Sequence, residues 1–117
     1  MVLGFNEVFI PAIVAGTKVH TIREGQRWRI GELAHFCAKA HQPDQYEFWP
    51  PLPIVHIQAV ELTDSELRVD GRLLGPTELL ALAQADGFTS AADLLAFFAN
   101  HPLPFRGQLL HWTNLRY

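Results

Sequence analysis

The sequence predicts one α+β domain, a small β-barrel or curled sheet with flanking helices, on three observations. Strand-like segments fill the first two thirds of the chain, a pair of helix-like segments follows, and one last strand-like segment closes it. Asp70-Gly71 is a hairpin signal set among strand formers, as antiparallel pairing requires. The 117 residues, 49% hydrophobic and 18% charged, suffice for one core, so residues 1–117 are read as a single domain.

The elements follow in order. Val2 to Phe5 is a short apolar run that suits a buried strand. Glu7 to Ala15 places Val8, Ile10, Ile13 and Val14 on one helical face, with Pro11 confined to an early turn or splitting the helix, and Gly16 at its stop. Val19 to Arg23 is rich in β-branched residues and reads as a strand, Glu24-Gly25-Gln26 as a turn, and Gly31 to Ala40 as a second strand. His41 to Pro53 carries Pro43, Pro50, Pro51 and Pro53 between Tyr46, Phe48 and Trp49, which predicts an ordered loop packed on the barrel. Ile54 to Leu62 alternates like a half-buried strand with a slip of phase near its end, and the Asp-Gly hairpin lies within Glu66 to Leu74. Pro76 and Thr77 open a helix over Glu78 to Gln84, with Thr77 as cap and Gly87 as stop. Ser90 caps a second helix, with Asp93 in the capping-box position and His101-Pro102 at its end. Gln108 to Trp112 is the closing strand.

Charge narrows the choice of partner. Nine Lys and Arg against twelve Asp and Glu give a net charge of -3, so the molecule as a whole does not attract a polyanion. Locally it does, because Lys18, Arg23, Arg27 and Arg29 fall within a dozen positions whose only acid is Glu24. The single cysteine, Cys37, excludes an internal disulfide and suits a reducing compartment. The first residues form no signal peptide, and no apolar run approaches the ~18 residues of a spanning helix, so the expectation is a soluble cytoplasmic protein without membrane contact.

The run Ile13-Val14-Ala15-Gly16-Thr17-Lys18-Val19-His20-Thr21-Ile22-Arg23, followed by Gly31-Glu32, resembles the signature of the ASCH domain, a branch of the PUA-like superfamily. A second block resembles the C-terminal half of ASCH proteins common in bacteria and phages. It comprises Leu82 to Leu94 around Asp86-Gly87-Phe88, then Phe97-Phe98 and Phe105-Arg106-Gly107-Gln108-Leu109-Leu110-His111-Trp112. The resemblance implies a PUA-like β-barrel with flanking helices and a cleft over the Lys-x-x-Thr segment, in a superfamily occupied with RNA binding and RNA modification. Some small ASCH proteins are amidohydrolases acting on N4-acetylcytidine, and others are ribonucleases. In the amidohydrolases the lysine is the proton acceptor, the threonine three residues on is the nucleophile, and a carboxylate near the helix junction is the proton donor. The resemblance places these roles on Lys18, Thr21 and Asp86, the last an aspartate where the amidohydrolases carry glutamate.

That chemistry is coherent. A threonine hydroxyl attacks only once a base takes its proton, and a desolvated lysine beside a cation such as Arg23 loses its own proton more readily. In an extended strand Lys18 and Thr21 would face opposite ways, so Lys18 must lie in a bend after Gly16. The candidate binding residues are Gly16, Lys18, Arg23, Arg27 and Trp28, with RNA or a nucleoside as ligand. The plain readings stay open beside these: Lys18 and Arg23 as a solvated strand edge, Thr21 as an ordinary strand residue, Asp86 as a brace for its turn, Trp28 as core. His35, Cys37, His41 and His56 match no standard metal-ligand spacing, and neither metal nor cofactor is expected. Whether the domain is a hydrolase or a binder is open, and the alternative is a non-catalytic accessory module that holds an unidentified protein through its aromatic, proline-rich loop. On that alternative, deleting Tyr46 to Trp49 abolishes the partner and spares the fold.

Overall fold

A computed structural model describes residues 1–117 as a compact α+β unit with strands in two sheets and three α-helices. The larger sheet is antiparallel throughout and runs β2 (His20–Glu24), β9 (Phe105–His111), β6 (His56–Leu62), β7 (Leu67–Val69), β8 (Arg72–Leu73). In the smaller sheet β1 (Val2–Phe5) lies parallel to β3 (Leu33–Ala38), and β3 also pairs with β4 (Tyr46–Glu47) and β5 (Leu52–Pro53). The ladders do not close into a barrel. Ile54 and Val55 bridge the sheets on one side, where Ile54 N–H donates to the Glu32 carbonyl and Val55 N–H to that of His111, both at 2.9 Å. On the other side no ladder joins β1 to β2, and that seam is spanned by a side chain, the Arg23 guanidinium donating to the Gly4 carbonyl.

Strand β9 lies between two cores. Leu109 faces the helices α2 (Pro76–Ala85) and α3 (Ala91–Phe98) and packs in a cluster with Ile22, Leu62, Leu82, Leu94 and Phe98. Its neighbour Leu110 faces the other way, into a cluster with Leu3, Phe5, Ile13, Trp28, Phe36 and Ile54. The period-2 alternation of one strand therefore supplies both layers of the domain.

Local chemistry explains most of the element ends. A 3₁₀ turn over Glu7–Phe9 precedes α1 (Ile10–Ala15), whose first turn holds Pro11, and Gly16 ends the helix at φ 79°, a left-handed value that a Cβ would strain. Ser90 Oγ accepts the Asp93 N–H as expected of the α3 cap. Thr77 is not the α2 cap. Gly75 holds that position with Pro76 at the first helical residue, where the missing N–H costs nothing. The expected phase slip in β6 is also absent, since Gln58, Val60 and Leu62 are buried on one face in an unbroken register with β9. The proline-rich loop contributes only the short edge strands β4 and β5, and its Phe48, Trp49 and Leu52 pack on the second core. A deletion of Tyr46 to Trp49 would thus remove core packing as well as surface. No helix is long and apolar enough to cross a membrane.

Candidate functional site

The bend after Gly16 sets the site. Thr17 and Lys18 N–H groups both return to the Ala12 carbonyl, and Val19 N–H donates to the Ala85 carbonyl at 2.9 Å, which pins the bend to the end of α2. Lys18 thus lies ahead of β2 rather than in it, as its cooperation with Thr21 requires, and its side chain turns inward until the residue is 2% exposed. The ammonium donates to the carbonyl oxygens of His20 (2.9 Å) and Asp86 (2.5 Å) and stands 3.6 Å from Asp86 Oδ1. It also lies over the rings of Phe9 and Phe5, with centroids 5.0 and 5.7 Å away. Burial lowers the Lys18 pKa from 10.5 to about 8; Asp86 opposes the shift and Arg23 adds to it.

The turn between α2 and α3 brings Asp86 to this lysine, and Gly87 permits the approach. At φ 100°, a Cβ on Gly87 would meet Phe9 at 3.0 Å and the Lys18 stem at 3.2 Å. Asp86 Oδ1 lies 2.7 Å from His20 Nδ1, and His20 Nε2 lies 2.7 Å from the Tyr117 hydroxyl. An ionised carboxylate only accepts, so Nδ1 carries the proton and Nε2 accepts from Tyr117. In this arrangement Asp86 accepts from His20 through its carboxylate and from Lys18 through its backbone carbonyl.

The chain of buried polar groups runs further. Gln58 donates to the Tyr117 carbonyl at 2.7 Å and to Asp70 at 3.1 Å, while its own oxygen lies 2.9 Å from His111 Nε2. Burial, with His20, Arg116 and His56 nearby, lowers the His111 pKa from 6.5 to about 3 and keeps the ring neutral. Burial also raises the Tyr117 hydroxyl above its usual range.

Thr21 and Arg23 share one face of β2. Arg23 Nη1 donates to Thr21 Oγ1 at 3.0 Å and to the Ile22 carbonyl at 3.1 Å, and the guanidinium lies over Phe5 with 5.0 Å to the centroid. Lys18, Thr21, Arg23 and Asp86 therefore meet in one cleft of about 180 Å³ at the open seam, walled by Phe5, Phe9 and Phe88. A larger depression of about 370 Å³ lies beside it against Glu7, Lys39 and Gln42, with no buried polar side chain in its lining.

Three expected binding residues lie elsewhere. Gly16 is exposed and shapes the bend from outside the cleft. Arg27 is exposed and lines a neighbouring depression that also reaches Arg23. Trp28 is only 4% exposed and packs in the second core, with Gln108 bonding its backbone N–H and carbonyl, so no base can stack on it. Of the proline-rich loop's aromatic residues, Tyr46 bonds Glu7, and neither it nor Trp49 lines the cleft. No three His, Cys, Asp or Glu side chains converge as a metal site.

His20, Tyr117, Gln58 and His111 carry much of the polar network, and sequence reasoning gave none of them a role. His20 had a signal, since it stands inside the Lys18 to Arg23 run between two site residues. Of its partners, Asp86, 66 residues away, was reached only through the family resemblance, and Tyr117, 97 residues away, had no signal. No protein-family model, curated protein or solved structure matches this chain.

Proposed function

We propose that the chain is an ASCH-type domain of PUA-like architecture that binds RNA or a modified nucleoside in the cleft at the β1–β2 seam. The observation that supports this reading is the cleft's composition, aromatic walls around buried hydrogen-bonding groups, as recognition of an unstacked base requires. Its size agrees with one base. At about 180 Å³ it is smaller than the about 300–1,000 Å³ of pockets that enclose drug-sized ligands. Phe5, Phe9 and Phe88 supply faces for the ring, and Thr21 and Asp86 supply groups for its edge. The test is titration with cytidine and N4-acetylcytidine followed by NMR. Saturable shifts confined to residues of the cleft are expected, and no shift at millimolar ligand would sink the reading.

Hydrolysis is the second reading, favoured by the lowered pKa of Lys18 in the cleft that Thr21 also lines. At pH 8 about half of such lysines are neutral and able to take a proton from Thr21. Release of acetate from N4-acetylcytidine, lost in both Lys18→Ala and Thr21→Ala with the fold retained, is the expected result. Full activity in Thr21→Ala would remove the nucleophile. Because Asp86 is engaged by His20 and Lys18, Asp86→Asn is expected to disturb Lys18 rather than only the leaving group's protonation.

A further inference from the structure

Arg23 differs from every other cation in the chain. Lys18, Lys39, Arg72 and Arg106 each have a carboxylate within 4 Å, and the remaining arginines Arg27, Arg29, Arg68 and Arg116 are exposed. Arg23 alone is partly withdrawn from solvent with no carboxylate at ion-pair distance. Three of its N–H groups go to neutral acceptors, Thr21 Oγ1 and the Ile22 and Gly4 carbonyls. A guanidinium has about five N–H donors, so Nε–H and one Nη2–H remain without a protein acceptor. Lys18 cannot complement an incoming anion in its place, because its ammonium is already spent on His20 and Asp86.

The charges around the cleft leave an excess in the same direction. Lys18 and Arg23 face the single carboxylate of Asp86. Beyond Arg23 the seam opens into the depression of about 240 Å³ that Arg27 also lines, with Gly4, His41 and one acid, Glu24. Gly4 and Arg23 belong to both spaces, so base cleft and basic depression adjoin at these residues. A partly desolvated cation without a counter-ion is costly, and an arriving phosphate would relieve that cost with charge-assisted, forked hydrogen bonds.

We propose that Arg23 and Arg27 form an anion seat for a phosphate of the ligand whose base enters the adjoining cleft, so that the ligand is a nucleotide or a stretch of single-stranded RNA, not a free nucleoside. The proposal rests on the nucleoside-cleft reading for the base and on the unpaired guanidinium for the phosphate. These two parts are separable by experiment.

The ¹⁵N-labelled protein is titrated at constant ionic strength with inorganic phosphate, cytidine, cytidine monophosphate and a single-stranded pentacytidylate. Phosphate is expected to shift the Arg23 Nε–H signal, and the monophosphate to bind at least about tenfold more tightly than cytidine, the gain of one charge-assisted pair. Arg27→Gln, an exposed change that spares the fold, should reduce that ratio to about two- or threefold while leaving cytidine affinity unchanged. Arg23→Lys should lower it further, and Arg68→Gln, on β7 and lining neither space, should do nothing. Tighter binding of the pentamer than of the monophosphate assigns the phosphate to a strand, and equal binding assigns it to a mononucleotide. A shifted Arg23 signal with phosphate but no binding of cytidine or its phosphate supports the seat and removes the base cleft. Equal affinity for cytidine and its monophosphate, or a phosphate response that survives Arg23→Lys with Arg27→Gln, overturns the seat.

Discussion

Lys18 holds an ammonium where water scarcely reaches it, and the consequence is a stability that depends on alkaline pH. The unfolded lysine keeps its proton up to about 10.5, whereas the folded one releases it near 8. Between these values the unfolded state binds more protons, so folding becomes more favourable as pH rises from 8 to 10.5 and the gain is lost as pH falls through 8. A shift of that size corresponds to about 3 kcal/mol at most. Urea unfolding of wild type and Lys18→Met should therefore diverge in favour of wild type from pH 7.5 to 10, and parallel curves would show that Lys18 titrates normally. His111 acts with the same sign in an acid window. Its pKa falls from 6.5 to about 3, so its neutral ring stabilises the fold above pH 6.5 and that contribution is lost as pH falls toward 3. The His111 ring signals should stay fixed from pH 8 to 5 in the folded protein, and a midpoint near 6.5 would contradict its burial.

Strand pairing, at the next scale, holds the cleft in shape. A Cβ on Gly107 would lie 2.2 Å from the Arg23 carbonyl oxygen, so β2 and β9 can keep their spacing only with glycine there. Gly107→Ala should cost about 1–3 kcal/mol of stability and weaken cleft binding, because the displaced segment carries Thr21 and Arg23. Ser90→Ala removes the α3 cap at a cost of about 1 kcal/mol and should leave binding unchanged. The contrast separates damage at the site from general destabilisation. Elements with local signals were legible in the sequence: Ser90 marks α3, Gly87 ends α2, and Gly16 with the strand alternation predicts the bend that frees Lys18. What depends on distant partners was not. β9 begins at Phe105 rather than Gln108 because Leu62 pairs with it there. Trp28, flanked by Arg27 and Arg29, reads equally as a base-stacking residue or as core in the sequence, and it is buried in the second core. The site was legible in the same uneven way, with Lys18, Thr21, Arg23 and Asp86 brought together and the His20–Tyr117 bond hidden.

For the whole molecule, the placement of β9 between two cores predicts one cooperative transition. All three tryptophans, Trp28, Trp49 and Trp112, belong to or pack on the second core, while α2 and α3 cover the first. Tryptophan fluorescence and far-ultraviolet dichroism thus report opposite sides of β9, and their urea midpoints should coincide. Leu110→Ala should shift both by the same amount, with a loss of about 2–5 kcal/mol, and a shift in fluorescence alone would mean two independent units. The hydrogen bond between His20 and Tyr117 spans 97 residues, and β2 reaches its partner β9 across most of the chain. Closing such long loops costs entropy before any contact repays it, which gives the domain a high contact order and a slow route to the native state. Any ligand of the cleft therefore acts as a folding sensor, since it meets a complete site only on chains whose distant ends have already found each other.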